Sequence, residues 1–126
     1  MCVLAGIQGD CIAILYPFED GLNSNRLVFE FSDELQSELM KEVVDYLIIE
    51  YNLISEISPL PYVPGKKKAI INDQPRHPDG EGEMRNYKTL SNGYYIDTHM
   101  NASGKKRIIS PLADICGIGV EYDGEW

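Results

Sequence analysis

A chain of 126 residues, 44% hydrophobic and 25% charged, has the size of one domain and needs no disulfide or metal to staple its core. Its formal charge of -9 argues against a uniformly basic nucleic-acid binder, and no apolar run reaches the ~18 residues of a membrane-spanning helix. The opening Met-Cys-Val-Leu-Ala-Gly-Ile lacks a basic stretch, so no secretory signal is expected; Cys2, Cys11 and Cys116 are expected as free thiols in a reducing, cytoplasmic setting.

In chain order, Cys11–Tyr16 (C-I-A-I-L-Y) is a short apolar run stopped by Pro17 and the Glu19-Asp20-Gly21 cluster. Leu27–Phe31 is a second run, and Gly21, Asn23, Ser24 and Asn25 between them suit a turn joining paired strands. Ser32 reads as a helix N-cap with Asp33 and Glu34 in the first turn. Leu35, Leu39, Val43, Tyr46 and Leu47 recur at helical spacing, which predicts a helix over 33–51 with Glu38, Lys41, Glu42 and Asp45 on its polar face. The prolines of 58–64 break regular structure, and 65–72 reads as a basic turn entering a short strand. The stretch 73–85 is rich in Gly, Pro and charge and is expected to be a mobile loop. Asn92-Gly93 marks a turn before a strand over 94–98. Ile108, Ile109, Leu112 and Ile115 predict a helix over 106–116, with Pro111 near its first turn and Gly117 and Gly119 ending it; the tail from Glu121 is acidic. The class is α+β: a small antiparallel sheet with packed helices in one domain.

Charge is unevenly spread. Residues 1–57 hold eleven acids and two bases, whereas 64–113 hold nine bases and five acids. The acidic half is either a solvated face or a surface for a basic protein partner. The basic part surrounds a polar loop, Thr98-His-Met-Asn-Ala-Ser-Gly104, followed by Lys105-Lys106-Arg107. Amides and hydroxyls can read base edges, and Lys and Arg can hold phosphates. Thr98, His99, Asn101 and Ser103 are therefore candidate base readers. Lys66, Lys67, Lys68, Lys105, Lys106 and Arg107 are candidate phosphate contacts. Tyr94 and Tyr95 alternate across the strand, so one is expected in the core.

Catalytic readings are weaker. Asp97 and His99 are two apart on a strand and would share a face, which suits a proton-transfer pair. No flanking signature joins them, or His77, to a cysteine nucleophile such as Cys116. Gly65-Lys-Lys-Lys68 lacks the spacing of a P-loop. Asp73, Asp79, Glu81 and Glu83 sit in a glycine-rich stretch that suits solvation more than metal binding, and the cysteines and histidines lack zinc-site spacing. No cofactor or metal is expected.

The order of these parts resembles the C-terminal DNA-binding domain of SeqA, the negative modulator of replication initiation that binds hemimethylated GATC sites. The resemblance runs over about residues 40–116. Val43–Ile54 matches the helix, Gly65-Lys-Lys-Lys-Ala-Ile70 the basic turn and strand, Tyr94–Lys106 the aromatic strand and recognition loop, and Ile108–Ile115 the last helix. It implies that the loop enters the major groove with Thr98, Asn101 and Ser103 toward the bases, while Lys66, Lys68, Lys105 and Lys106 hold the backbone. The turn is lysine where that family has arginine, which removes bidentate phosphate contacts, and the loop carries a single asparagine. The expectation is a duplex DNA-binding module, sequence-specific or methylation-sensitive, acting by occupancy. The alternatives are a non-catalytic interaction protein with an acidic face and a small nuclease or hydrolase using Asp97 and His99.

Overall fold

The computed structural model describes residues 10–18, 26–65, 68–77, 82–124 and 126. The first strand, β1 (Asp10–Pro17), pairs antiparallel with β2 (Leu27–Ser32), from Asp10 opposite Ser32 to Leu15 opposite Leu27. Alternation puts Cys11, Ala13 and Leu15 into the core and leaves Ile12, Ile14 and Tyr16 on the outer face. The third strand of this sheet is β6 (Ile118–Gly124), which flanks β1 on its other side, giving the order β2-β1-β6.

A 3-10 turn at Asp33–Leu35 leads into α1 (Gln36–Tyr51). Ser32 stands at the N-cap position of that turn, as expected, but makes no side-chain cap hydrogen bond. Leu35 lies in that turn and is 49% exposed, so the buried stripe starts at Leu39 and runs through Met40, Val43, Val44, Leu47 and Ile48. Asn52 ends α1 in the left-handed region (φ 55°), a conformation asparagine tolerates, with its N–H donating to Leu47 O. The short α2 (Leu53–Ile57) follows, burying Leu53 and Ile57.

The second sheet is small and antiparallel, in the order β3-β5-β4: β3 (Ile71–Asn72), β5 (Tyr95–Asp97) and β4 (Tyr87–Thr89). The α+β class holds, with two three-stranded sheets in place of one. The α3 helix (Ala102–Ile115) starts four residues before the predicted position, so Pro111 lies in its interior and the helical bond its nitrogen would make is missing. Nearby, the Tyr122 hydroxyl donates to Lys106 O (3.3 Å) and lies 2.6 Å from Ser110 Oγ, tying β6 to that stretch of helix. Gly117 (φ 76°) turns the chain from α3 into β6.

One buried cluster runs from Cys11, Ala13 and Leu15 through α1 to Ile71 and Ile96 and on to Ile109, Leu112 and Ala113. Helix α1 is its centre: it packs on α3, on β2 and on β4. Its acidic face is partly used internally. Asp45 Oδ1 and Oδ2 accept from Ser91 N and Ser91 Oγ (both 2.8 Å), and Glu38 pairs with Lys88 (3.2 Å). Among the described residues, no helix is long and apolar enough to cross a membrane.

Candidate nucleic-acid interface

The polar loop hangs from β5, the central strand of the second sheet. Ile96 is fully buried opposite Ile71, and Asp97 N donates to Ile70 O (2.8 Å). The strand ends there. Thr98 N (3.0 Å) and Thr98 Oγ1 both donate to Asn86 O, and Met100 N donates to Thr98 O (2.9 Å). Asp97 Oδ1 accepts from His99 N (2.8 Å), so a buried carboxylate fixes the loop backbone. Five hydrogen bonds thereby set one conformation for 97–100.

The Asp97 side chain is fully buried, and its Oδ2 accepts no hydrogen bond from the described residues. Its nearest cationic or imidazole neighbours are His77 Nε2 at 3.7 Å and Lys68 Nζ at 3.8 Å, beyond hydrogen-bond reach. Ala69 N donates to His77 Nδ1 (3.0 Å), which sets the ring's own proton on Nε2, facing Asp97. His77 is held there by hydrogen bonds across the 72–84 segment: Asn72 Nδ2 to Arg76 O, His77 N to Gly82 O and Met84 N to Pro75 O. The stretch 73–85 was expected to be a mobile loop; its residues 78–81, with Asp79 and Glu81, lie outside the described residues.

Asp97 and His99, weighed as a proton-transfer pair in the alternative reading, do not meet side chain to side chain. The Asp97 carboxyl holds the His99 backbone, and the His99 ring bonds Asn86, with Nδ1 at 3.1 Å from Asn86 Nδ2. The imidazole that faces Asp97 is His77. Cys116 ends α3 with its thiol pushed above its ordinary range, mainly by burial and further by Glu56, which is the wrong direction for a thiolate nucleophile. Among the described residues, no group of three His, Cys, Asp or Glu side chains is placed to hold a metal ion.

The base-reading candidates separate. His99, Asn101 and Ser103 are exposed on the loop and the first turn of α3. Thr98 is 2% exposed and its hydroxyl is used on Asn86 O, so it is a structural residue of the loop and not a reader. Asn101 is the N-cap of α3: its Oδ1 accepts from Gly104 N (2.8 Å). The cap leaves its amide N–H groups turned to the other side of the same side chain.

The basic candidates separate too. Lys105 is 6% exposed, its ammonium donates to Met100 O (2.6 Å), and burial holds its pKa below the ordinary lysine range. Lys106 lies over the Tyr122 and Trp126 rings (5.5 and 5.2 Å to the centroids), against β6 and the chain end. Lys105 is therefore held inside the loop and is not free to follow a phosphate backbone, while Lys106 rests on the ring faces of Tyr122 in β6 and of Trp126. Lys68 and Arg107 behave differently: both are exposed and both line one cavity of about 550 Å³ together with Met100 and Gly104. Lys68 also donates to His99 O (3.3 Å) and lines a second cavity, of about 260 Å³, with Arg85 and His99. A third, of about 340 Å³, is lined by Asn86, His99 and Asn101. Lys66 and Lys67 lie outside the described residues.

No protein-family model, curated protein or solved structure matches the chain. The geometry therefore stands alone. The three cavities adjoin pairwise, through Lys68 (first and second), His99 (second and third) and Met100 (first and third); Arg85, Arg107 and Asn101 line one each, and Ser103 is exposed on the first turn of α3 beside them in sequence. Arg85 and Asn86 were not singled out in the sequence. They precede Tyr87-Lys88-Thr89, whose alternation is the strand signal that would have placed them beside β5.

Proposed function

We propose that the chain binds duplex DNA by occupancy, without chemistry. Lys68, Arg85 and Arg107 hold backbone phosphates, while His99, Asn101 and Ser103 face base edges. The observation that carries this reading is that Lys68 and Arg107, far apart in sequence, line one cavity beside a loop whose exposed side chains are donors. Opposed faces would have left them as solubilising charge. Buried hydrogen bonds hold the loop in one conformation, which lowers the entropy lost when it docks. The negative total charge weakens non-specific attraction, so recognition relies on the local cluster.

The resemblance to the SeqA domain supports the same loop and adds a candidate site: a hemimethylated GATC duplex. What supports the reading is the order β3, β5, loop and α3, with β4 and a 3-10 turn between the two strands. The test is a binding titration against random duplex, unmethylated GATC duplex and hemimethylated GATC duplex at low and moderate salt. Salt-sensitive binding to duplex is expected, and preference among the three sets the specificity. No binding at low salt overturns the proposal.

A further inference from the structure

The cavity shared by Lys68 and Arg107 has a chemistry that DNA phosphates alone do not use. Its volume, about 550 Å³, falls within the roughly 300–1,000 Å³ of small-molecule sites. Its floor is aliphatic: Ile70 from the approach to β3, Met100 from the loop and Ile108 from α3. Ile70 is 5% exposed and belongs to the main core, so the floor is backed by packed structure. Gly104 keeps this wall low: a Cβ there would fall 3.1 Å from Met100 Cβ, tighter than ordinary contact. Among the described residues that line it, the charged ones are Lys68 and Arg107, both positive.

We propose that this cavity binds a small amphipathic anion, an alkyl carboxylate, with its chain on Ile70, Met100 and Ile108 and its carboxylate on Arg107 and Lys68. Arg107 suits the head group because its planar fork pairs with a carboxylate through two parallel hydrogen bonds. It has no hydrogen-bond or ion-pair partner among the described residues. A nucleotide fits less well, because the aliphatic floor leaves the polar edge of a base without partners. The regulatory consequence rests on the DNA-binding reading: Lys68 and Arg107 cannot hold a carboxylate and a phosphate backbone together, so the ligand and DNA exclude each other.

The probes are decanoate below its micelle concentration, decanol and adenosine 5′-monophosphate. Binding is read by calorimetry and by the NMR shifts of the Met100 and Ile108 methyl groups, without DNA. Decanoate is expected to bind and shift both methyls. Decanol and the nucleotide are expected to bind at least about tenfold more weakly, and Arg107→Glu to weaken decanoate by about tenfold or more, with an unchanged circular dichroism spectrum. Equal binding of decanoate and decanol, or shifts confined to other residues, overturns the site. Competition is a separate arm. Decanoate should displace a labelled duplex from the wild type; ternary binding of both overturns mutual exclusion, while absence of duplex binding alone overturns only the DNA reading.

Discussion

The Lys105 ammonium donates to the Met100 carbonyl at 2.6 Å, so the first lysine of the Lys-Lys-Arg run closes the loop from inside. Its neighbours in sequence diverge around α3: Lys106 covers Tyr122 and Trp126, and Arg107 reaches the cavity that Lys68 shares. One basic triplet therefore has three different surroundings, and charge-reversal should separate the roles proposed for them. Arg107→Glu and Lys68→Glu should weaken duplex binding across sequences and lower the salt slope by about one each. Lys106→Glu should leave the slope unchanged and cost about 0.5–1 kcal/mol of stability through the lost ring contacts. Equal loss of binding in all three variants contradicts this division.

Asn101 carries two roles that substitution can part. Asn101→Asp keeps an oxygen on Gly104 N and so keeps the cap, but removes the amide donor. Its stability should match the wild type while its discrimination between sequences falls. Asn101→Ala should lose about 1 kcal/mol of stability as well. Urea titration reads the first effect and competition between duplexes the second. Unaltered discrimination in the aspartate variant removes Asn101 from base reading.

Stability should fall in alkali in a way that Tyr46 partly controls. Burial, with the Tyr51 hydroxyl and Glu50 adding to it, pushes the Tyr46 phenol up to about 12 from 10.0. The folded state then holds a proton that the unfolded chain releases. That contribution is full below about pH 10 and is lost as pH rises through about 12. Tyr46→Phe should flatten the fall in denaturation midpoint over this window, read by urea titrations from pH 8 to 12. Lys105 acts with the opposite sign, since its lowered pKa favours the folded state as pH rises, so it cannot mimic the effect.

Gly124 closes the first sheet at the end of β6. It has φ 77°, and a Cβ on it would fall 2.2 Å from Asp10 O. Gly124→Ala should destabilise by about 1–3 kcal/mol and open the Cys11–Gly124 end of the β1–β6 pairing. Gly65→Ala, where nothing lies within 4 Å of a Cβ, should stay near neutral. Hydrogen exchange at β6 and urea midpoints check both.

The long, periodic elements were legible in the sequence. Strands β1 and β2 and the body of α1 follow from alternation and from the spacing of Leu39, Val43 and Leu47. Strand β6 was not expected, because Gly117 and Gly119 read as helix stops and the tail from Glu121 was read for its acidic charge alone. Its Val-Glu-Tyr-Asp alternation was nonetheless present, with Val120 and Tyr122 packed on the core and Glu121 and Asp123 exposed. The start of α3 was placed late because the apolar period begins at Ile108, while the Asn101 cap sets the true first turn. For the candidate site, the polar loop and the basic residues Lys68 and Arg107 were readable from composition, and the structure adds that these two line one cavity. The burial of Thr98 and Lys105 was not, since local sequence cannot report that Asn86 O and Met100 O lie beside them.

The most direct measurement is the salt dependence of duplex affinity for the wild type and the Lys68→Glu, Arg107→Glu double variant, by fluorescence anisotropy from about 20 to 200 mM salt. Three described cations, with Lys66 and Lys67 adding to them, predict a log-log slope of roughly -3 to -5 that falls by about two in the double variant. A slope near zero in the wild type, or one the double substitution leaves intact, contradicts the account.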